Sequence, residues 1–441
     1  MVEGNSIIDD IRIALTLKPV IVILSISAVI RMLFHFVLLP NSPSAFGPDE
    51  RTYALLAKYV SAGLPIEEFP IYGSNLYYSS KSIALPSAFL IRLGLEELTA
   101  VRTVASLYGL TSTLILVLCF IAYLRLWKHN NKEFSYYINN KFIFMLAFFA
   151  FLPSNFIWST IGLRESGSQF WLICTFYLIL KLAKSTGRSL WKFTALTAIA
   201  LALAYGTRPQ TALVFGFVAL FFSAAILFKF RKITPLIAIL IGIFAGQAFT
   251  TTPTTPTTPT TPTTPTTPTA ASTNNHFKTW SNLASMLKKL ESSRNKNSDG
   301  AQSGLPKSNC QGASKEFAIL FVCNLSELPY RLFAFLFRPL IFFDQGSRTL
   351  NFAALENLGW MILIPLSIWL ALRKKQNSVN QFINLGLTSY VLVFASFAAL
   401  YEGNLGTAFR HKSTILWPLV FILMITPSIL PKSRSKITSN S

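Results

Sequence analysis

From about Val20 to Leu39 only Arg31, His35 and two serines interrupt a run of roughly twenty apolar residues, and a helix of that length matches the hydrocarbon core of a bilayer. Runs of the same kind recur at about 101–124, 142–160, 168–183, 193–207, 210–228, 233–249, 355–372, 382–400 and 413–430. Backbone amides cannot stay unpaired in lipid, so the expected fold is an all-α polytopic membrane protein of about ten transmembrane helices. Composition agrees, because only 13% of the 441 residues are charged and Phe alone supplies 38 of them, whereas a soluble domain carries about 25% charge. A secreted enzyme, a nucleic-acid-binding domain and a coiled coil are thereby excluded. The first run is too long for the core of a signal peptide and lacks a small-residue cleavage site, so it reads as an uncleaved anchor.

Charge sets the expected orientation. Lys and Arg number 39 against 18 Asp and Glu, a net +21; in a multi-pass chain such an excess marks cytoplasmic loops and contact with anionic membrane lipids, not nucleic acid. Basic clusters around Arg125 and Lys141, Lys181 to Lys192, Lys229 to Lys232, Arg373 to Lys375 and Lys432 to Lys436 alternate with acidic connections. Both termini are therefore expected in the cytoplasm, and any chemistry that needs a carboxylate is expected on the outer face of a plasma (inner) membrane. Three outer segments result, at about 41–100, 250–354 and 401–412. In the first, 50–62 and 83–95 have helical apolar spacing but are too short to span, so both are expected to lie in the interface.

The chain divides into an N-terminal transmembrane module (1–249), an outer loop (250–315), and a C-terminal interfacial segment with further transmembrane helices (316–441). Thr-Thr-Pro repeats from Thr251 to Pro268 forbid helix and ladder and favour a polyproline II spacer. The Ser-, Asn- and Lys-rich stretch to about Lys315 reads as disordered. Cys119 and Cys174 lie inside apolar runs and read as packing residues, whereas Cys310 and Cys323 can pair if their segment is extracytoplasmic.

Several polar residues carry two readings. Asp49 follows the Gly47-Pro48 turn where a helix N-cap belongs, yet it and Glu50 are adjacent carboxylates at the membrane surface, an arrangement that is costly unless used. Arg164 and Glu165 in Leu163-Arg-Glu-Ser-Gly167 make either a surface ion pair of little worth or a site in which Glu165 faces Asp49. Arg208, after Gly206-Thr, either snorkels or meets a lipid phosphate. Arg31 sits near the middle of the first span, where a charge costs about 2.5–3.5 kcal/mol, and is expected to face the bundle and pair with a carboxylate. Arg338, Arg410, His411 and Lys412 form either an anion site or a set of positive helix ends touching headgroups. Nucleophile elbows, P-loops, dinucleotide fingerprints and His-Glu-x-x-His are absent from the sequence.

The stretch Asp49-Glu-Arg-Thr-Tyr-Ala-Leu-Leu-Ala-Lys58 resembles the Asp-Glu-x-x-Tyr-Ala-x-x-Ala signature of the GT-C glycosyltransferases, particularly the protein O-mannosyltransferase and aminoarabinose transferase branch. Gly94 to Arg102 with Ser106 and Gly109, Leu163-Arg-Glu-Ser166 and Gly206-Thr-Arg-Pro209 are similar to further segments of that family. Together they cover about residues 20–230. The resemblance implies a transferase that moves a sugar from a polyprenyl-phosphate donor to a glycan, lipid or protein acceptor, with inversion at C1. On that reading Asp49 is the general base, Glu50 its partner or an acceptor contact, Glu165 the carboxylate of the second outer loop, and Arg208 a phosphate clamp. Glu165 stands where the family has Asp, and Arg208 where it has Lys. A divalent cation is a conceivable cofactor. The C-terminal half looks more like bacterial polysaccharide polymerases, in which Arg338 and Arg410 would lead; a lipid-sugar transporter is the non-enzymatic alternative, for which paired half-helices are expected.

Overall fold

The computed structural model describes residues 6–39, 49–70, 73–127, 139–230, 232–250, 275–299, 304–305, 310, 317–341, 344, 348–373 and 378–426. Gly47-Pro48, the Thr-Thr-Pro tract and the cations Lys128, Lys132, Lys374, Lys375, Lys432, Arg434 and Lys436 lie outside them.

Among the described residues the chain is helical and contains no strand. The first half comprises α1 (Ile7–Thr16), α2 (Lys18–Leu33) with a π-helical continuation (Phe34–Leu38), α3 (Glu50–Ser61), α4 (Gly73–Tyr78), α5 (Lys81–Arg92), α6 (Glu97–Trp127), α7 (Asn140–Phe151), α8 (Pro153–Trp158), α9 (Arg164–Lys184), α10 (Gly187–Tyr205), α11 (Pro209–Phe230) and α12 (Thr234–Thr250). The second comprises α13 (Asn275–Asp299), α14 (Phe317–Phe337), α15 (Arg348–Leu372), α16 (Ser378–Tyr401), α17 (Leu405–Lys412) and α18 (Leu416–Ile425). Among the described residues seven helices are long and apolar enough to cross a membrane, and three shorter apolar ones match runs in the sequence. This is a multi-pass membrane protein.

Three expectations need correction. The single span expected at 142–160 is broken, because Pro153 has no N–H to donate and holds Leu152 in an extended conformation; α7 ends and the short α8 begins there. The stretch expected to be disordered to Lys315 contains the 25-residue helix α13, whose Glu291, Arg294 and Asn295 are buried against other elements. The interfacial segment beyond it holds α14, which is itself long and apolar enough to span. Asn324 of α14 donates to Glu291 of α13 at 2.6 Å, and Lys412 donates to the carbonyl of Leu336 at 3.3 Å.

The last span is the pillar of the bundle. Over Leu405–Ile425, 94% of the most apolar window is buried, against 28% for the first span. Trp417 packs in a ring of Phe176, Phe215 and Tyr390 at centroid separations of 5.4 to 6.2 Å. The residues that begin this pillar, Arg410 to Lys412, consequently stand at the middle of one end of the molecule.

Basic residues from separate connections meet at the other end. Asp10 of α1 is fully buried, accepts hydrogen bonds from Lys181 at 2.9 Å and Tyr177 at 2.6 Å, and pairs with Arg125. Lys232 donates to the carbonyls of Ala183 and Ser185, and Lys141 to that of Thr426. The alternation of charge along the sequence thus becomes a separation of charge between the two ends of the bundle.

Candidate functional site

Asp49 opens α3 but its side chain makes no capping hydrogen bond. The cap reading of this residue fails, and its carboxylate is left for another partner. That partner is Arg410, whose Nη1 donates to Asp49 Oδ2 at 3.0 Å across 361 residues of sequence. The side chain of Asp49 remains 55% exposed and that of Arg410 only 15%.

Arg410 also lies against the second expected carboxylate, its Nε 3.3 Å from Glu165 Oε1. Glu165 is in the first turn of α9 and is 3% exposed. The same Oε1 accepts from Arg208 Nη1 at 3.1 Å and lies 4.0 Å from His411 Nε2. Its other oxygen is buried without a hydrogen-bond partner. Arg208 follows the last turn of α10 and touches His411, whose Nδ1 side pairs with Glu402. Charges therefore alternate from the exposed Asp49 through Arg410 and Glu165 to Arg208, and His411 links Arg208 to the buried Glu402. Two guanidiniums hold a carboxylate that could not otherwise be taken out of water.

Tyr53, one turn into α3, is buried beside this cluster and interacts electrostatically with Asp49, Arg164, Glu165 and Arg410. Burial pushes its phenol up. Arg164 reaches the other way, donating to the hydroxyl of Ser79 at 3.1 Å and so tying the turn before α5 to the start of α9.

Glu50 does not share the role of its neighbour. It is fully buried, and both its oxygens receive Arg102, at 2.6 and 3.0 Å, while Oε1 also accepts the N–H of Gly162 at 2.9 Å. This carboxylate fastens α3 to α6 and to the turn before α9. It is a positioning residue, and the pairing of Glu50 with Asp49 in one catalytic role is corrected accordingly.

Arg31 is buried and faces the bundle as expected, yet its contacts are with uncharged oxygens. It donates to the hydroxyl of Ser159 at 2.6 Å, to that of Thr160 at 3.0 Å, and to the carbonyls of Ser159 and Phe156 at 3.1 and 3.4 Å. These carbonyls are the orphans at the C-terminus of the short α8. The proline break that ends α7 creates the need, and Arg31 meets it from the negative end of a helix dipole. Gly109 leaves the room: a Cβ there would come within 2.7 Å of the Ser159 side chain and 3.0 Å of Arg31 Nη1.

The four cations expected to share an anion are separated. Arg338 is committed to Asp344, Nε lying 3.0 Å from each carboxylate oxygen. Burial raises the Asp344 carboxyl, but Arg338 and the Leu340 N–H outweigh it and hold the group below its ordinary value. Lys412 is buried among the Leu336 and Arg338 carbonyls and Asn357 Oδ1, the last at 2.6 Å, where it caps α14. Only Arg410 and His411 enter the cluster around Glu165. Glu356, in the third turn of α15, accepts from the Ser154 N–H at 2.7 Å, the Ser154 hydroxyl at 2.5 Å and the Trp360 indole at 2.9 Å, and so serves as a structural acceptor.

The cluster is a poor match for a divalent cation, because the guanidinium of Arg410 already occupies the space between the two carboxylates. Among the described residues the one group with metal-ligand spacing is Cys310, Cys323 and Glu327, and there the two sulfurs are joined in a disulfide. That bond meets the expectation that the two cysteines pair.

No family model, curated protein or solved structure matches the chain. The reading of the site rests on its own geometry and on the short motifs of the sequence.

Proposed function

We propose that the protein is an integral-membrane glycosyltransferase that moves a sugar from a polyprenyl-phosphate donor to an extracytoplasmic acceptor, with Asp49 as general base. The observation that carries this reading is the state of Asp49: it caps nothing, is more than half exposed, and is held beside a guanidinium that also engages the buried Glu165. A base must be reachable by the hydroxyl it deprotonates, and Asp49 is the carboxylate of the cluster that solvent reaches.

In the reaction Asp49 accepts the proton of the acceptor hydroxyl, whose oxygen bonds to C1 of the sugar as the C1–O bond to phosphate breaks. The electron pair leaves with the polyprenyl phosphate, and Arg410 and Arg208 offset the charge that builds there. Glu165 sets the orientation of both guanidiniums. The outer face is favoured on two grounds: basic loops gather at the opposite end, and the disulfide-bonded α14, joined through Asn324 to α13, belongs to an oxidising compartment.

The test uses membranes containing the protein and labelled polyprenyl-phosphate sugars. Asp49→Asn is expected to lower transfer by at least 10²-fold, the lower range for general-base catalysis, with expression unchanged. Transfer that survives this change and is lost in Arg338→Ala would move the polymerase reading ahead.

A further inference from the structure

We propose that Arg410 is an exchange latch: the donor's phosphate takes the place of Asp49 on its guanidinium, and this exchange releases the base only when the donor is seated. The inference rests on the proposed transferase reading and adds to it an order of events.

Arg410 has two anionic partners of unequal standing. Glu165 is 3% exposed, shares its engaged oxygen with Arg208, and has nowhere to go without leaving two buried guanidiniums short of charge. Asp49 is 55% exposed, makes no cap, and is joined to Arg410 through the single nitrogen Nη1. An incoming phosphate competes for Arg410 on the solvent side, where Asp49 is the weaker partner: exposed pairs are worth little, while phosphate accepts two guanidinium hydrogens at once. Glu165 stays and holds the guanidinium in place throughout.

The exchange changes the base as well as the donor site. Paired with Arg410, Asp49 has its Oδ2 turned to the guanidinium at 3.0 Å. Once displaced, that oxygen is free to accept the hydroxyl hydrogen of the acceptor. Presentation of this oxygen to the acceptor is therefore linked to the presence of donor, and an acceptor arriving first meets a carboxylate held by Arg410.

The latch makes an unusual prediction for binding. Removing the competitor should strengthen binding of phosphate, although a residue of the site has been deleted. Affinity of the purified protein in detergent would be measured for a short-chain polyprenyl phosphate, with inorganic phosphate as a second probe, for wild type, Asp49→Asn and Asp49→Ala. Both variants are expected to bind the lipid phosphate about two- to fivefold more tightly than wild type, the factor corresponding to loss of one exposed ion pair. Because Asp49 is exposed and caps no helix, the variants are expected to fold, and Asn keeps the shape of the side chain in case Ala does not. Wild type that binds lipid phosphate while both variants bind equally or more weakly overturns the latch and leaves the transferase reading standing. Absence of any lipid-phosphate binding by wild type overturns both. Tightening for inorganic phosphate alone, with no effect on the lipid, assigns the exchange to free phosphate and also ends the donor-linked latch.

Discussion

Asp49 and Glu50 are neighbours in sequence with opposite fates. Asp49 faces solvent and touches one nitrogen, whereas Glu50 is sealed between Arg102 and the Gly162 N–H. Asp49→Asn is expected to shift unfolding by less than about 0.5 kcal/mol, as for an exposed surface position. Glu50→Gln strands the buried Arg102 guanidinium and is expected to cost about 3–5 kcal/mol. Detergent-resistant unfolding of the two purified variants checks the contrast; equal effects would remove the division of roles. The pair of acids and their place after the first span were legible in the sequence, and so was the gathering of Glu165, Arg208 and Arg410 beside them. The division of labour was not, because Glu50's partner is 52 residues away and nothing local distinguishes the two carboxylates. Arg31 has the same lesson in reverse. Its burial followed from the cost of charge in lipid, but its partners are carbonyls exposed by a proline more than 120 residues later.

At the scale of elements, the apolar runs announced most spans because a lipid-facing helix is apolar over its whole length. They failed where contact with protein, not lipid, stabilises the helix. α13 reads as disorder because Ser, Asn and Lys dominate it, yet Arg294 is wholly buried and donates to the Ala399 carbonyl beside the Glu402 turn. Gly403 in that turn lies against the backbone of Arg294, and the Leu305 N–H donates to the Gly403 carbonyl at 2.7 Å. No side chain fits there: a Cβ on Gly403 would also come within 2.7 Å of the Ser298 nitrogen. Gly403→Ala is expected to cost about 1–3 kcal/mol by overpacking and to loosen α13 from the bundle. Limited proteolysis reads this directly, as faster cleavage within 275–299; an unchanged cleavage rate would mean that α13 docks without this contact.

For the molecule as a whole, the decisive property is polarity from end to end. Asp10 with Arg125, Lys181 and Lys232 marks one end, and the Asp49 to Glu402 cluster marks the other. On the proposed orientation the first lies in the cytoplasm. A cysteine in place of Thr260, in a background whose free Cys119 and Cys174 are replaced, is expected to react with a membrane-impermeant maleimide in intact cells. Labelling that requires permeabilised cells would invert the orientation and put the site on the cytoplasmic face.

The wholly enclosed position of the final span has a consequence for how the protein is made. Synthesis runs from the N-terminus, so the helix that fills the centre is made after the spans that surround it. Until that helix enters, Glu165 has Arg208 but not Arg410 for company, and Asp49 has no guanidinium at all. The cluster is thus complete only once Arg410 has been made, and a chain interrupted before it carries the acids of the first loop without this guanidinium partner.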